Sequence, residues 1–578
     1  MNRRDFLTRA GLGTAMTFGA LSGRAHAAQD PDGPFLDLKQ LEERNQNRST
    51  VVSRNGMVCT SHPLASMAGI DLLKAGGSCI DAAICANAML GLMEPASNGI
   101  GGDLFAIVWS EKDQQLYGLN ASGRAPYDWN LDKAAALGLQ SIPTYSPLAW
   151  SVPGCVSGWG ALHKRFGKLS LADCLTPAID AGREGFPLSP LISTHFSAWT
   201  DEIAPYMAPI YHPNGEVPGF GDIFKNPLLA KVYEEIAEGG PAAYYEGRAA
   251  EAIVAMSTKL GGFMSMKDLK DHTATWVDPV SSNYRGWDVW EIPPNGQGIA
   301  ALQILNMLEQ FDIGSLGHNS AQHLHLLAEA KKLAFEDRAQ YYADPEFADV
   351  PTGWLISKEY AKERAALIDP KQASTSVKFG DPKLDSDTIY LSAADSEGNM
   401  ISLIQSNYSG FGSTICPEGL GFPIQNRGQS FSLDPKHRNK LEPHKRPFHT
   451  IIPAFMTKDG KPVMAFGVMG GDFQPQGHSQ VVMNMIDFAM SPQQATDQPR
   501  LAHGGSSSPW GGKSVDGGRL EFEHGFSDAV KAELEAMGHK LKQGVTAHGG
   551  YQSVWRKDDP LRYFGGSDPR KDGAALGY

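Results

Sequence analysis

The sequence predicts an α+β fold in which layers of helices enclose paired β-strands. Apolar residues recur at helical spacing from about residue 155 to 342, strand-like runs joined by glycine turns dominate after residue 380, and an early strand pair separates two helical regions. Paired strands with helices on both sides favour a layered α/β/β/α arrangement. Periodicity alone leaves an ordinary α+β fold open.

The first part of the chain is predicted to be mainly helical. A helix over residues 64–75 ends at Gly76-Gly77, and Ser78 caps a second helix that stops before Pro95. Strands over residues 104–110 and 116–120 follow, joined by a polar turn. Helical character then returns over residues 156–166, 171–184, 226–260 and 297–342.

Beyond residue 380 the pattern changes to β. Strands over residues 388–394 and 400–406 form a predicted hairpin with Gly398 in its turn. A second predicted hairpin joins residues 450–456 to 462–469 around Gly460, and a helix over residues 476–489 follows Gly470-Gly471.

The amino-terminal end has the pattern of a twin-arginine export signal. Arg3-Arg4 precede a small apolar run over residues 10–23, and Ala25-His26-Ala27 forms an A-x-A cleavage site. The run is shorter than the roughly 20 residues that a membrane-spanning helix needs. We therefore expect residues 1–27 to be removed, and the mature protein to be periplasmic or secreted without a stable membrane anchor.

Composition excludes several classes of function. The chain has 578 residues, 42% of them hydrophobic, and a net charge of -13, which argues against nucleic acid as a partner. The six cysteines are scattered without C-x-x-C spacing, so free buried thiols are expected rather than a disulfide.

The sequence also gives no reason to expect a metal or a cofactor. The glycine-rich segment 99–102 follows a helix and precedes a strand, which is the reverse of a dinucleotide-binding arrangement, and it lacks the following Lys-Ser/Thr of a phosphate loop. His437, His444 and His449 match no zinc signature, so we interpret them as solvated loop histidines.

Thr388 is the candidate nucleophile. An acidic loop over residues 384–387 runs into the strand that Thr388 begins. If the chain is cut before Thr388, the hydroxyl gains a base of its own, because a free α-amine has a pKa of about 7.7 to 8. The alternative is a structural threonine, which is commoner at a loop-to-strand junction.

Two further segments have the residue types that acyl transfer needs. Gly470 and Gly471 lie between a strand and a helix, where successive backbone N–H groups form an oxyanion hole; the alternative is a tight turn. Arg124 follows a strand end, and its guanidinium suits a substrate carboxylate; the alternative is a surface arginine.

Several ordered segments together resemble the γ-glutamyltranspeptidase family of N-terminal-nucleophile hydrolases. The resemblance runs from about residue 50 to the C-terminus. The matching segments are residues 65–77, 81–83, 94–102 and 124–126, the hairpin from Thr388 to Asn399, and residues 445–447, 470–471, 567–570 and 572–578.

The resemblance implies a four-layer αββα sandwich, made as a precursor that cuts itself between Asp387 and Thr388. Residues 28–387 would form a large subunit and residues 388–578 a small subunit of the same αββα unit. Thr388 would attack a γ-glutamyl amide, Gly470 and Gly471 would hold the oxyanion, and Arg124 would bind the substrate's α-carboxylate. Water then completes hydrolysis, or an amine completes transfer.

The predicted pocket departs from better-known members of that family. Ser406 replaces a second threonine, Tyr408 replaces an asparagine, Arg427 and Ser430 align with the usual Gln and Asp, and His449-Thr450 align with a Ser-Ser pair. Loss of the carboxylate at Ser430 and gain of Arg427 favour an acyl group with a carboxylate and no α-amine, such as glutaryl. The short segment 431–445 predicts an open site.

Three functional hypotheses follow. The leading one is a self-processing γ-glutamyltransferase or glutathione hydrolase-like amidohydrolase. The second is a dicarboxylic-acyl amidase similar to glutaryl or cephalosporin acylases, and the third is a binding protein without catalysis on the same scaffold.

Overall fold

Two seven-stranded β-sheets face each other at the centre of the protein. A computed structural model describes residues 48–197, 205–375, 387–514, 516–542 and 548–578. The predicted signal over residues 1–27 and the acidic loop over residues 384–386 lie outside the described residues, as do the side chains of Asp387 and Thr388.

Fourteen of the eighteen described strands belong to these two sheets. In chain order the strands are β1 (Val51–Ser53), β2 (Met57–Thr60), β3 (Asp103–Ser110), β4 (Gln115–Ala121), β5 (Phe186–Pro187), β6 (Ile223–Phe224), β7 (Thr275–Val277), β8 (Val280–Tyr284), β9 (Trp287–Glu291), β10 (Asp387–Ala394), β11 (Met400–Tyr408), β12 (Ala454–Lys458), β13 (Lys461–Val468), β14 (Leu501–Gly504), β15 (Arg519–Phe522), β16 (Tyr551–Lys557), β17 (Arg562–Ser567) and β18 (Ala574–Gly577). Outside the two large sheets, β5 with β6 and β14 with β15 form two-stranded sheets.

The α-helices of the described residues lie mainly outside the sheets. In chain order they are α1 (Pro63–Lys74), α2 (Cys79–Met93), α3 (Leu131–Ala136), α4 (Cys155–Phe166), α5 (Leu171–Glu184), α6 (Pro190–Ser197), α7 (Ala208–Tyr211), α8 (Pro227–Tyr245), α9 (Arg248–Lys259), α10 (Met266–Lys270), α11 (Gly298–Leu308), α12 (Ala321–Tyr341), α13 (Thr352–Leu355), α14 (Lys358–Ala365), α15 (Gln474–Ile486), α16 (Pro492–Asp497) and α17 (Asp528–Ala536). None of these described helices has the length and apolarity needed to span a membrane.

Both sheets combine strands from before and after the Asp387-Thr388 bond. The first sheet has the order β1-β17-β16-β13-β12-β9-β8, and the second has the order β18-β2-β10-β11-β3-β4-β7. Neighbouring strands in both sheets are antiparallel. Segments that precede this bond and segments that follow it are therefore hydrogen-bonded to each other within both sheets.

Apolar side chains fill the space between the sheets and the space outside each of them. Phe105 and Ile404 of the second sheet share a buried cluster with Phe455 and Val554 of the first. On the outer face of the second sheet, α1, α2, α5 and α8 form a larger apolar core, and α11 and α15 contact the first sheet. The predicted αββα layering is confirmed.

Most predicted elements are present, but the sequence-based prediction missed several strands. The strands β1, β2, β5 to β9 and β14 to β18 are not among the predicted ones. Ten of these twelve strands have only two to five residues, which is too short for an alternating pattern to identify them, although β8 with β9 and β16 with β17 form hairpins between neighbours in the chain. The strand predicted from residue 450 begins only at Ala454. The N–H of Ile452 is taken by the side chain of Gln474 at 2.9 Å, so that residue makes no ladder bond.

The two sheets are in close contact where Gly467 of β13 meets Tyr390 of β10. A Cβ atom at Gly467 would lie 2.5 Å from Cδ2 and Cε2 of the Tyr390 ring. The ring itself is fixed, because it is fully buried and its hydroxyl donates to Ser402 Oγ at 2.8 Å. Only glycine allows this approach.

Replacing Gly467 by alanine tests whether this contact sets the sheet spacing. We expect Gly467→Ala to lower the free energy of unfolding by about 1 to 3 kcal/mol, because the added methyl group overpacks a rigid contact. Thermal unfolding measures the effect. Gly353→Ala is the matched control, since nothing lies within 4 Å of a Cβ there. Equal unfolding temperatures for the two variants would contradict the assignment.

Candidate functional site

Thr388 lies at an irregularity in the central ladder of the second sheet. Asp387 pairs with Tyr408 and Ile389 pairs with Gln405, so the register shifts between them. Two residues of β11, Ser406 and Asn407, therefore face the single residue Thr388. Bulges of this kind re-aim side chains and are common beside active sites.

The residues of β11 opposite Thr388 are tightly constrained. Ser406 is fully buried, and its Oγ accepts a hydrogen bond from the N–H of Tyr408 at 2.8 Å. Tyr408 has a φ of 80°, a conformation that bulky residues rarely adopt. Gly102 lies against this turn, where a Cβ would be 2.3 Å from the carbonyl oxygen of Ser406. Gly102, in the glycine-rich segment 99–102, therefore allows close packing between two backbone segments.

The Gly470-Gly471 turn follows directly after β13. Gly470 has φ 110° and ψ 38°, and Gly471 has φ 53°, so both residues occupy the left-handed region. Neither N–H has an acceptor among the residues that the structure describes. Two free donors on successive residues are the arrangement that an oxyanion needs.

Contacts between the sheets show which end of β10 this turn approaches. Phe466 O accepts from Ser402 Oγ, and Ser402 is the ladder partner of Ser392. One residue later, Gly467 meets Tyr390. Advancing along β13 therefore means moving back along β10, and continuing in that direction brings Gly470 toward the end of the strand that holds Thr388.

Arg427 forms a buried cationic group with Tyr408 and Thr450. Its Cζ lies 3.9 Å from the centre of the Tyr408 ring, and its Nη1 donates to Thr450 Oγ1 at 2.7 Å. Burial lowers the pKa of Arg427 to about 10, so the guanidinium is still charged at neutral pH. Burial raises the pKa of Tyr408, whose hydroxyl is therefore neutral there.

The guanidinium of Arg427 keeps unused hydrogen-bonding capacity. Among the residues that the structure describes, its buried Nε and Nη2 have no hydrogen-bond partner, and neither has the buried Oγ of Ser430 in the same turn. No carboxylate of the described residues lies within 4 Å of it as an ion-pair partner. Unpaired buried donors of this kind cost about 1 to 3 kcal/mol each, more when charged, unless a ligand satisfies them.

His449 supports this group from beside it. Its Nδ1 accepts from the N–H of Ile451 at 3.3 Å, which assigns the proton to Nε2, and Nε2 donates to Asp103 Oδ2 at 2.9 Å. Burial, with repulsion from Arg427 second, lowers the pKa of His449 to about 4, so the ring is neutral at pH 7. The prediction of a solvated loop histidine is therefore wrong for His449.

Asp103 belongs to this group of contacts, although its position at the start of a strand is its only signal in the sequence. Its Oδ1 accepts from the N–H of Gly123 at 2.7 Å and from Gln425 Nε2 at 2.8 Å, in addition to the His449 bond on Oδ2. The carboxylate is fully buried. It links the turn before Arg124 to the residues around Arg427.

Arg124 lies nearby but is already paired with carboxylates. Its Nη2 donates to Glu346 at 2.9 Å, and its Nη1 lies 3.6 Å from Asp344. Arg446 shares the Glu346 carboxylate at 3.3 Å. The structure therefore brings together Tyr408, Arg427, Ser430, His449 and Thr450, whereas the Arg124 guanidinium is engaged by a pair of acidic residues that the sequence did not single out.

The described residues of the predicted pocket are shielded from solvent, and a site more open than in members with a lid loop stays a prediction. Arg427, Ser430 and Thr450 are almost completely buried. The short segment 431–445 packs onto them, because Asn439 Nδ2 donates to the carbonyl oxygens of both Ser430 and Pro509. This part of the short segment is therefore packed against the turn that contains Ser430.

The described residues contain one cluster with the side chains of a metal site, away from these groups. The ligand atoms of His325, Glu329 and His539 lie within 4.8 Å of one another. His325 donates to Asp369 O and accepts from His539, both at 2.8 Å, and Glu329 accepts from Lys332 at 2.6 Å. Each group thus has a protein partner, and the ammonium of Lys332 opposes a metal cation.

Comparisons with known proteins agree with this geometry. The γ-glutamyltranspeptidase family model matches residues 65–578. The glutathione hydrolase-like YwrD proenzyme of Bacillus subtilis is 38% identical over 91% of this chain and 99% of its own length. The glutathione hydrolase proenzyme of Escherichia coli is 32% identical over the full length of both chains.

A solved structure extends the similarity to three dimensions. The crystal structure of cephalosporin acylase from Bacillus halodurans has a TM-score of 0.84 and 40% sequence identity, and the match covers 93% of this chain and 98% of that one. The sandwich, the glycine turn and the extent of these matches lead to one conclusion. The chain belongs to the γ-glutamyltranspeptidase family.

Proposed function

We propose that this protein is a self-processing amidohydrolase that forms an acyl-enzyme on Thr388 from the amide of a five-carbon dicarboxylic acid. The acyl group is γ-glutamyl or glutaryl, and the site residues favour glutaryl. Water completes hydrolysis, or an amine completes transfer. We also propose that residues 1–27 direct export by the twin-arginine route, and that the mature protein acts in the periplasm or outside the cell.

The first step is cleavage of the protein's own chain. The hydroxyl of Thr388 attacks the carbonyl carbon of Asp387, the C–N bond breaks, and the Asp387 acyl group moves to the Thr388 oxygen. Water hydrolyses the resulting ester, which leaves a carboxylate on Asp387 and a free α-amine on Thr388. The register shift at Thr388 supports this step, because it releases that residue from regular ladder pairing.

The second step repeats the chemistry on a substrate. The α-amine of Thr388 takes the hydroxyl proton as the oxygen attacks the substrate amide. The N–H groups of Gly470 and Gly471 stabilise the tetrahedral oxyanion, and Ser406 supports the nucleophile from the facing strand. The amine product leaves with a proton, and water or a second amine then releases the acyl group.

The observation that carries the choice of acyl group is the free edge of Arg427. Nε and Nη2 lie on one edge of the guanidinium, which is the edge that binds both oxygens of a carboxylate side by side. The hydroxyls of Ser430 and Thr450 complete a carboxylate-binding group, with Tyr408 as its aromatic support.

The same group is poorly suited to an α-ammonium. A buried cation such as Arg427 repels a second cation. Ser430 stands where family members usually have an aspartate, so the acidic partner for an ammonium is lost at that position. Asp103 is already occupied by three hydrogen bonds. A glutaryl amide, which has the carboxylate without the amine, therefore fits better than a γ-glutamyl amide. Similarity to a cephalosporin acylase supports the same choice.

Substitution of Thr388 tests the processing step. We expect Thr388→Ala to remain one uncut chain without amidase activity, and Thr388→Ser to be cut more slowly, since it keeps a hydroxyl. Denaturing electrophoresis shows the two products, and N-terminal sequencing of the smaller one reads Thr-Ile-Tyr-Leu in the wild type. A cut at the same bond in Thr388→Ala would contradict the mechanism. A wild-type chain that stays uncut and inactive would favour the non-catalytic binding protein.

Paired chromogenic anilides test the acyl group. We expect kcat/KM for glutaryl anilide to exceed that for γ-glutamyl anilide by at least about tenfold. The α-ammonium of the γ-glutamyl compound would place a second positive charge beside buried Arg427, at a free-energy cost of at least about 1.4 kcal/mol. A higher kcat/KM for the γ-glutamyl compound would contradict the glutaryl assignment and favour glutathione-type hydrolysis as the function.

Removal of the charge at Arg427 tests whether this residue determines the preference between the two acyl groups. We expect Arg427→Gln to reduce kcat/KM for glutaryl anilide about 10- to 200-fold, the loss of about 1.5 to 3 kcal/mol for hydrogen bonds to a charged group. Adding Ser430→Asp should then raise the ratio of γ-glutamyl to glutaryl turnover. Arg438→Gln is the matched control, because Arg438 also lies over a tyrosine, Tyr341, but outside this group. A similar loss in the control would argue for a general effect of charge.

A further inference from the structure

Gln297 joins the two halves of the site through one side-chain amide. It is fully buried at the start of α11. Its Nε2 donates to the carbonyl oxygen of Thr450 at 2.7 Å and to that of Gly471 at 2.8 Å. Thr450 is the residue whose hydroxyl holds Arg427, and Gly471 belongs to the glycine turn.

We propose that Gln297 is a positioning residue that fixes the distance between the carboxylate-binding group and the oxyanion turn, and thereby selects the chain length of the acyl group. This inference rests on the proposed function. An acyl substrate spans the two points, since its carboxylate meets Arg427 and its amide carbonyl meets Gly470 and Gly471. A rigid link between them makes the number of methylene groups decisive.

The orientation of the amide is determined by its third partner. Arg338 Nη1 donates to Gln297 Oε1 at 2.5 Å, so the oxygen faces a group that only donates. The nitrogen must then face the two carbonyl groups, which only accept. The amide has no alternative orientation that satisfies all three partners.

Arg338 is itself held on the far side of the same turn. Its Nη1 also donates to Asp472 Oδ1 at 2.8 Å, and its Nη2 donates to the carbonyl oxygen of Ser507 at 3.0 Å. Asp472 directly follows Gly471. The glycine turn is thus held by hydrogen bonds at two consecutive residues, because Gln297 bonds to Gly471 and Arg338 bonds to Asp472.

This link crosses the proposed cut. Gln297 and Arg338 precede Asp387, whereas Thr450, Gly471 and Asp472 follow Thr388. After processing, a large-subunit amide would bind two separate segments of the small subunit. Displacement of reacting groups by about 1 Å costs about 100-fold in rate, so a link that fixes this spacing affects turnover strongly.

A series of acyl anilides tests the spacing. We use malonyl, succinyl, glutaryl and adipyl anilides with the wild type, Gln297→Met and Gln297→Glu, after confirming that each variant is processed and folded by thermal unfolding. We expect a single sharp optimum of kcat/KM in the wild type. In both variants, which lack the two donors, kcat for the best acyl group should fall about 10- to 100-fold. The ratio between the best and the next acyl length should fall to about threefold or less. Gln297→Glu keeps the shape of glutamine and answers the question if Gln297→Met fails to fold.

Gln480→Met is the matched control. Gln480 Nε2 also donates to two carbonyl oxygens, those of Leu501 at 2.9 Å and Gln476 at 3.1 Å, but between α15 and β14. We expect Gln480→Met to have a lower unfolding temperature than the wild type and to keep the wild-type preference for acyl length. An unchanged preference in the Gln297 variants would overturn the inference alone. A wild type inactive on the whole series would instead overturn the proposed function on which the inference rests.

Discussion

The close approach of the two sheets at Gly467 and Tyr390 is the constraint on which the site depends. Thr388 lies two residues from Tyr390 on β10, and Gly470 lies three residues beyond Gly467 on β13. Because a glycine faces a fixed aromatic ring there, the sheets meet at a defined distance and in a defined direction. The backbone at Thr388 and the Gly470-Gly471 turn therefore lie toward the same end of the two facing sheets.

The second organising feature is a buried positive charge that the protein does not neutralise with a carboxylate of its own among the described residues. Arg427 is supported by an aromatic ring, one hydroxyl and a neutral histidine, and the Nε–Nη2 edge of its guanidinium has no hydrogen-bond partner within the described part of the chain. Burial of an unpaired charge is unfavourable unless a ligand supplies the opposite charge. Arg124 differs, because Asp344 and Glu346 already pair with it. The two arginines thus have different electrostatic roles although both belong to the same region.

A third feature is that rigid support comes from the other side of the proposed cut. Gln297 and Arg338 lie on helices that precede residue 387, and both contact the turn that follows β13. Interleaved strands in both sheets have the same effect on a larger scale. Self-cleavage would consequently release a new N-terminus at Thr388 without releasing the segments that surround it.

The layered fold, most helices and both central hairpins can be predicted from the sequence, because they depend on local periodicity, capping residues and turn residues. The candidate nucleophile, the glycine turn and the change of charge at Arg427 and Ser430 are single residues in ordered motifs, so the sequence points to them as well, and their roles stay predictions. Three facts are visible only in the tertiary structure: Arg124 is paired with acidic residues, His449 is buried against Asp103, and Asn439 of segment 431–445 bonds to Ser430. The first two facts depend on contacts between residues hundreds of positions apart, as between Asp103 and His449, and no local pattern encodes such contacts.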